Sequence, residues 1–176
     1  MDDADSNYGQ TKKVLFDKIN IPGENIHRIL SELEPDSAMI EYARTLKGFA
    51  EPPLAWPRFD LALLGMGDDG HTASLFPNSP VEVDSPTLAV RANYQGRPAN
   101  RVTLTQKVLN SSRNIVFLVT GKSKAETLNK VINGAYQPEE FPAQRIAPVI
   151  REPSRSRQSG SRCVETTRRE SLGVAC

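Results

Sequence analysis

The chain has 176 residues, of which 38% are hydrophobic, 24% charged and 6% aromatic, with 22 Lys and Arg against 21 Asp and Glu. A net charge of +1 excludes nucleic-acid binding by bulk charge, and no apolar run approaches the roughly 18 residues of a membrane-spanning helix. Residues 1–9 carry neither the basic nor the apolar region of a signal peptide, so a globular chain at a cytoplasmic location is expected. Cys163 and Cys176 both follow residue 150, which excludes a disulfide framework or a cysteine metal site from the body.

Ser6 can cap a helix reaching residue 19, with Tyr8, Val14, Leu15 and Ile19 at helical spacing. Residues 26–30 are short and apolar enough for a strand, and His27 within them reads as structural. Pro35 suits the first turn of a helix running to about Phe49, with Met39, Tyr42, Ala43, Leu46 and Phe49 on one face. A Pro-rich connection, 52–57, leads into the apolar run 59–64, which predicts a strand buried on both faces. Residues 88–92 and 102–104 read as further strands, the second followed by a short helix through Val108 and Leu109. The clearest strand is 115–119, leading through Thr120-Gly121-Lys122-Ser123 into a helix over 124–132 that Asn133-Gly134 stops. This alternation predicts an α/β fold, a mainly parallel sheet flanked by helices, with ligand-binding loops after Leu64, Leu104 and Val119.

Composition changes abruptly after Ile150, dividing the chain into a body, 1–150, and an Arg/Ser-rich tail, 151–176. The tail holds six Arg, five Ser, no Lys and no aromatic residue, and lacks any apolar period, so it is expected to be disordered. An RNA-binding tail is disfavoured by its net charge of only +3 and its lack of repeats. Out-of-frame translation accounts best for the joint change in Arg, Lys and Cys usage.

The loop after the 59–64 strand carries the chemistry: Gly65-Met66-Gly67-Asp68-Asp69-Gly70-His71-Thr72-Ala73-Ser74-Leu75-Phe76-Pro77. Gly65, Gly67 and Gly70 match the bare G-x-G-x-x-G dinucleotide pattern. That pattern needs a long helix opening at its last glycine, and Pro77, Pro80 and Pro86 leave no room for one. The Asp68 and Asp69 carboxylates would also repel a pyrophosphate. The glycines serve better as permissions for positive φ and close approach, placing Asp69 and His71 at the mouth of the sheet. A histidine there can take a proton from water and return it to a leaving group, while an aspartate orients the ring and stabilises the imidazolium. Ser74 lacks the G-x-S-x-G elbow of a serine hydrolase and reads as a helix residue.

The thirteen-residue stretch resembles the signature of the 6-phosphogluconolactonases, the pentose phosphate enzymes that open 6-phosphoglucono-δ-lactone. Asp5-Ser6-Asn7-Tyr8-Gly9, Arg101-Val102-Thr103-Leu104-Thr105, Gly121-Lys122-Ser123-Lys124-Ala125 and Pro142-Ala143-Gln144-Arg145-Ile146 agree in order, so the resemblance covers about residues 5–148. It implies a sugar-phosphate isomerase/CoA-transferase-like fold and a metal- and cofactor-independent lactone hydrolase with His71 and Asp69 as its catalytic centre. It assigns Arg101, Lys124, Asn7, Gly67 and Gly70 to the phosphosugar lactone, with Lys122 and Arg145 as weaker phosphate candidates. Of the two aspartates, the family pattern favours Asp69 at the imidazole. Neither nucleic acid nor membrane is expected as a partner, and the sequence sets no oligomeric state.

Glucosamine-6-phosphate deaminases resemble the loop too, but they carry a glutamate five positions after the histidine. Here that position is Phe76, whose ring cannot transfer a proton. The family's N-terminal strands, with a Gly-rich phosphate loop and an acidic-arginine segment, are expected upstream of Asp5, and its last strand and helix are expected where the tail stands. An incomplete fold, and with it an inactive or merely sugar-phosphate-binding remnant, is therefore the competing expectation.

Overall fold

The computed structural model describes residues 6–80, 82–93, 96, 100–147 and 174–175. In chain order the elements are α1 (Asn7–Val14), α2 (Pro35–Gly48), β1 (Ala62–Gly65), β2 (Thr87–Arg91), β3 (Asn100–Leu104), α3 (Gln106–Asn110), β4 (Ile115–Leu118), α4 (Ala125–Asn133) and β5 (Val174–Ala175). The chain gathers into two units: Met1–Pro57 with Asp84–Leu104, and Arg58–Val83 with Thr105–Cys176.

In the first unit, the Ser6 hydroxyl accepts the Gly9 N–H at 3.0 Å and so caps α1 as its sequence predicts. The helix ends at Val14 rather than at residue 19; Leu15 leaves helical geometry and residues 16–18 form a 3₁₀ turn. Residues 26–30 form no strand; several of their backbone groups are taken up in local turns, the Ile26 N–H on the Gly23 carbonyl at 3.1 Å and the Leu33 N–H on the Leu30 carbonyl at 3.1 Å. The Tyr42 hydroxyl donates to the His27 carbonyl at 3.2 Å, and Arg28 donates to both Glu32 oxygens, at 2.8 and 2.7 Å. His27 itself packs against Phe49 with ring centres 4.6 Å apart, a structural role. Pro35 opens α2, which buries Ala38 and Leu46. Strands β2 and β3 pair antiparallel in the register Thr87↔Leu104 to Arg91↔Asn100, and the buried Thr87 hydroxyl donates to the Met39 carbonyl of α2 at 2.9 Å.

The second unit carries the parallel pairing: β1 against β4, in the register Ala62↔Ile115 to Gly65↔Leu118, with β5 on the other side of β4. Ile115 and Phe117 face inward and join Val108, Leu109, Val119, Phe141 and Ile146 in the core. The expectation that the first strand is buried on both faces is corrected by its alternation: Leu61 and Leu63 are 53% and 61% exposed, as is Leu118 at 51%. Side chains alternate across a strand, so with the buried Ile115 and Phe117 and the half-buried Ala62 and Leu64 on one face, these three leucines turn to the other together. Of the predicted tail, residues 151–173 and 176 lie outside the described residues, and 174–175 are described as β5.

Arg145, a weak phosphate candidate from sequence, is 5% exposed and binds carbonyls instead. Its Nε donates to Pro138 at 2.7 Å and one Nη to Ser79 at 3.0 Å, tying two loops of the unit together. Burial pulls its pKa below the ordinary arginine value, a shift that the nearby Glu139 carboxylate opposes. Arg145→Ala leaves those carbonyls and the space around them unfilled, and is expected to cost about 2–4 kcal/mol of stability in urea unfolding. Arg145→Lys, with one compact cation for a planar fork, should recover only part of it.

Candidate active site

The loop after β1 lies within the second unit. The chain leaves β1 at Gly65 and returns at Thr72, whose buried hydroxyl donates to the Gly65 carbonyl at 2.8 Å. Within this closure, the Gly67 N–H donates to the His71 carbonyl at 2.9 Å and the Gly70 N–H to the Gly67 carbonyl at 3.1 Å. Gly70 holds φ at +78°, and a Cβ there would stand 2.9 Å from the Phe141 ring, so both the turn and the packing require glycine. The Ala143 N–H donates to the Gly70 carbonyl at 2.9 Å and anchors the loop from beneath.

This folding brings Asp69 and His71 together. One oxygen of the Asp69 carboxylate accepts the His71 backbone N–H at 3.1 Å and lies 2.6 Å from the ring Nδ1. The His71 side chain is 12% exposed and that of Asp69 36%, so the pair is partly withdrawn from water yet reachable. With the Nδ1 proton directed at a carboxylate, the basic lone pair of the neutral imidazole resides on Nε2. Asp68 points elsewhere, its carboxylate 3.3 Å from the Ser123 hydroxyl, so Asp69 is the aspartate at the imidazole.

Gly67 lies directly under the ring. A Cβ built there would stand 2.1 Å from Nδ1 and 2.2 Å from Cε1 of His71, and 2.7 Å from the Asp69 carboxylate. Its missing side chain is the space that the Asp69–His71 pair occupies. The buried Phe76 packs against the imidazole, with ring centres 4.5 Å apart. The residue that stands where deaminases carry a glutamate is therefore an apolar wall against His71.

No helix opens at Gly70: residues 72–75 form a tight turn, with the Leu75 N–H on the Thr72 carbonyl at 2.9 Å and Ala73 at φ +52°. The dinucleotide reading fails on that geometry. Ser74 is corrected with it, from a helix residue to a turn residue, because the left-handed Ala73 breaks any helical run.

The start of α4 reaches back to the same loop. Lys124 sends its ammonium group to the Met66 carbonyl at 2.6 Å, and Thr127 donates its hydroxyl to the Asp68 carbonyl at 2.7 Å. Thr127 escaped the sequence reading, although it lies in the first turn of α4, three residues beyond Lys124. Lys122 is exposed in the 3₁₀ turn before α4. Arg101 and Asn7 belong to the first unit, Arg101 on β3 opposite Val90 and Asn7 as the first residue of α1. Among the described residues no three metal-binding side chains cluster, and no helix is long and apolar enough to cross a membrane.

The family described as glucosamine-6-phosphate isomerases/6-phosphogluconolactonase matches residues 1–153. The chain belongs to that family. A 6-phosphogluconolactonase of Haemophilus influenzae is 40% identical over 144 residues, covering 82% of this chain and 60% of that protein. A 6-phosphogluconolactonase of Synechocystis is 37% identical over 150 residues, covering 84% and 62%. The solved 6-phosphogluconolactonase of Thermotoga maritima superimposes with a TM-score of 0.73 at 31% identity, covering 84% of this chain and 63% of that one. The α/β fold is that of these family members, and the chain spans about 60% of the length of the curated relatives it matches.

Proposed function

We propose that the chain carries the catalytic loop of a 6-phosphogluconolactonase, hydrolysing 6-phospho-D-glucono-1,5-lactone to 6-phosphogluconate. The observation that carries the reading is the 2.6 Å contact between His71 Nδ1 and Asp69, seated over the glycine that makes room for it. A six-membered lactone is an activated ester, so water suffices as nucleophile. Nε2 of His71 takes a proton from that water as its oxygen bonds to the lactone carbonyl carbon. The tetrahedral intermediate then collapses, the bond from that carbon to the ring oxygen breaks, and the imidazolium returns the proton to the departing oxygen. Asp69 holds the ring and stabilises the imidazolium; each proton transfer is worth about 10²–10⁴ in rate.

One ammonium hydrogen of Lys124 serves Met66, and the remaining two suit a phosphate oxygen. The assignment of Arg101 and Asn7 to substrate rests on the family resemblance alone. Gly67 and Gly70, assigned there to substrate, are accounted for by the packing of His71 and Phe141. A cytoplasmic site of action and the phosphosugar lactone as partner go with this reading, and no step in it calls on a metal or cofactor.

The test is hydrolysis of freshly generated lactone by the purified chain, against buffer and against His71→Ala. The lactone opens spontaneously, so only the excess over buffer counts. An excess that vanishes in the variant supports the reading. A soluble, folded chain with no excess overturns it in favour of a sugar-phosphate-binding remnant.

A further inference from the structure

Threonines inside helices commonly return their hydroxyl hydrogen to the carbonyl one turn back. Thr127 instead donates outward to the Asp68 carbonyl at 2.7 Å. That carbonyl belongs to the peptide joining Asp68 to Asp69. A peptide is planar, so holding its oxygen also fixes its nitrogen and the direction of the Asp69 Cα. Two bonds downstream stands the carboxylate that lies 2.6 Å from His71 Nδ1. Lys124 fastens the Met66 carbonyl on the other side of Gly67. The loop is therefore gripped at both flanks of the glycine beneath the imidazole, by Thr127 from the first turn of α4 and by Lys124 from the residue before that helix.

We propose that Thr127 is a positioning residue for the Asp69–His71 pair, keeping the imidazole in the tautomer that leaves Nε2 basic. The proposal rests on the reading of His71 as the base, but its first readout needs no turnover. Bonds made to a rigid helix hold a reactive group within the roughly 0.5 Å that productive geometry tolerates. Among the described residues the Asp69 carboxylate is otherwise held from its own loop, through the His71 N–H at 3.1 Å.

The experiment compares the chain with Thr127→Val, which removes the hydroxyl at nearly constant shape, and Thr127→Ser, which keeps it. Long-range ¹H–¹⁵N spectra of histidine-labelled protein report the His71 tautomer in each. The expected result is a dominant Nδ1–H form in the parent and in Thr127→Ser, with a clear Nε2–H population in Thr127→Val. In the lactone assay, Thr127→Val should lower kcat about 10–100-fold with KM little changed, as for a misplaced catalytic group rather than lost substrate contact. A parental tautomer in Thr127→Val overturns the proposal, and so does a Thr127→Ser chain as altered as the valine variant. Should the valine variant fail to fold, Thr127→Ala takes its place with the same criteria. A parent without turnover but with the expected tautomer pattern refutes the lactonase reading and leaves the positioning role standing.

Discussion

Gly67→Ala is expected to lower lactone hydrolysis by about 10²–10³-fold while the chain stays folded. The added methyl has no space: its carbon would overlap the His71 ring at 2.1 and 2.2 Å and crowd Asp69 at 2.7 Å. Real carbon–nitrogen contacts close only to about 3.5 Å, so the imidazole must swing away by an ångström or more. Neither the ring nor its carboxylate can follow the other, because Asp69 is bound to the His71 backbone N–H and its own peptide is held by Thr127. The substitution therefore breaks the pair rather than moving it. Gly67 sits outside the left-handed region, so no φ penalty accompanies the change, and the steric effect can be read alone. The check is kcat/KM beside thermal melting and the tautomer spectrum. A rate within threefold of the parent would mean that the ring has another productive seat.

The same glycine illustrates what the sequence disclosed and what it withheld. The spacing of Gly65, Gly67 and Gly70 after an apolar run was enough to place the loop at a strand end, with Asp69 and His71 on it. What each glycine does depended on atoms from elsewhere: the imidazole four residues on for Gly67, and Phe141, seventy-one residues on, for Gly70. Helix α2 was legible because Pro35 and the apolar face from Met39 to Phe49 are local signals. Residues 26–30 misled for the opposite reason. Their apolarity suits a strand, but a strand exists only with a ladder, and here the backbone groups go to local turns and to the Tyr42 hydroxyl instead. Burial on both faces was likewise inferred for 59–64 from composition. Period-two alternation then turned Leu61 and Leu63 outward, an outcome that depends on what packs on the sheet. Lys124 was assigned to the substrate and Arg145 was a weaker phosphate candidate, both on the family resemblance. Folding buried Arg145 among carbonyls and left Lys124 half-buried beside the loop that carries Asp69 and His71.

Asp69→Asn separates orientation from charge more cleanly than any deletion at this site. The amide keeps the size of the carboxylate, and its oxygen can still accept the His71 backbone N–H now bonded at 3.1 Å, so the loop turn survives. That same oxygen is the one that lies 2.6 Å from Nδ1, so the ring proton stays on Nδ1 and what changes is the charge. The imidazolium of the proposed reaction loses its counter-charge, which is expected to reduce kcat by about 10²-fold, with KM and melting temperature close to the parent's. Asp68→Asn is the control: its carboxylate lies beside Ser123 and not the imidazole, so hydrolysis should remain within a few-fold. Equal losses in the two variants would mean that the loop's negative charge, not the geometry of the Asp69–His71 pair, sustains the rate.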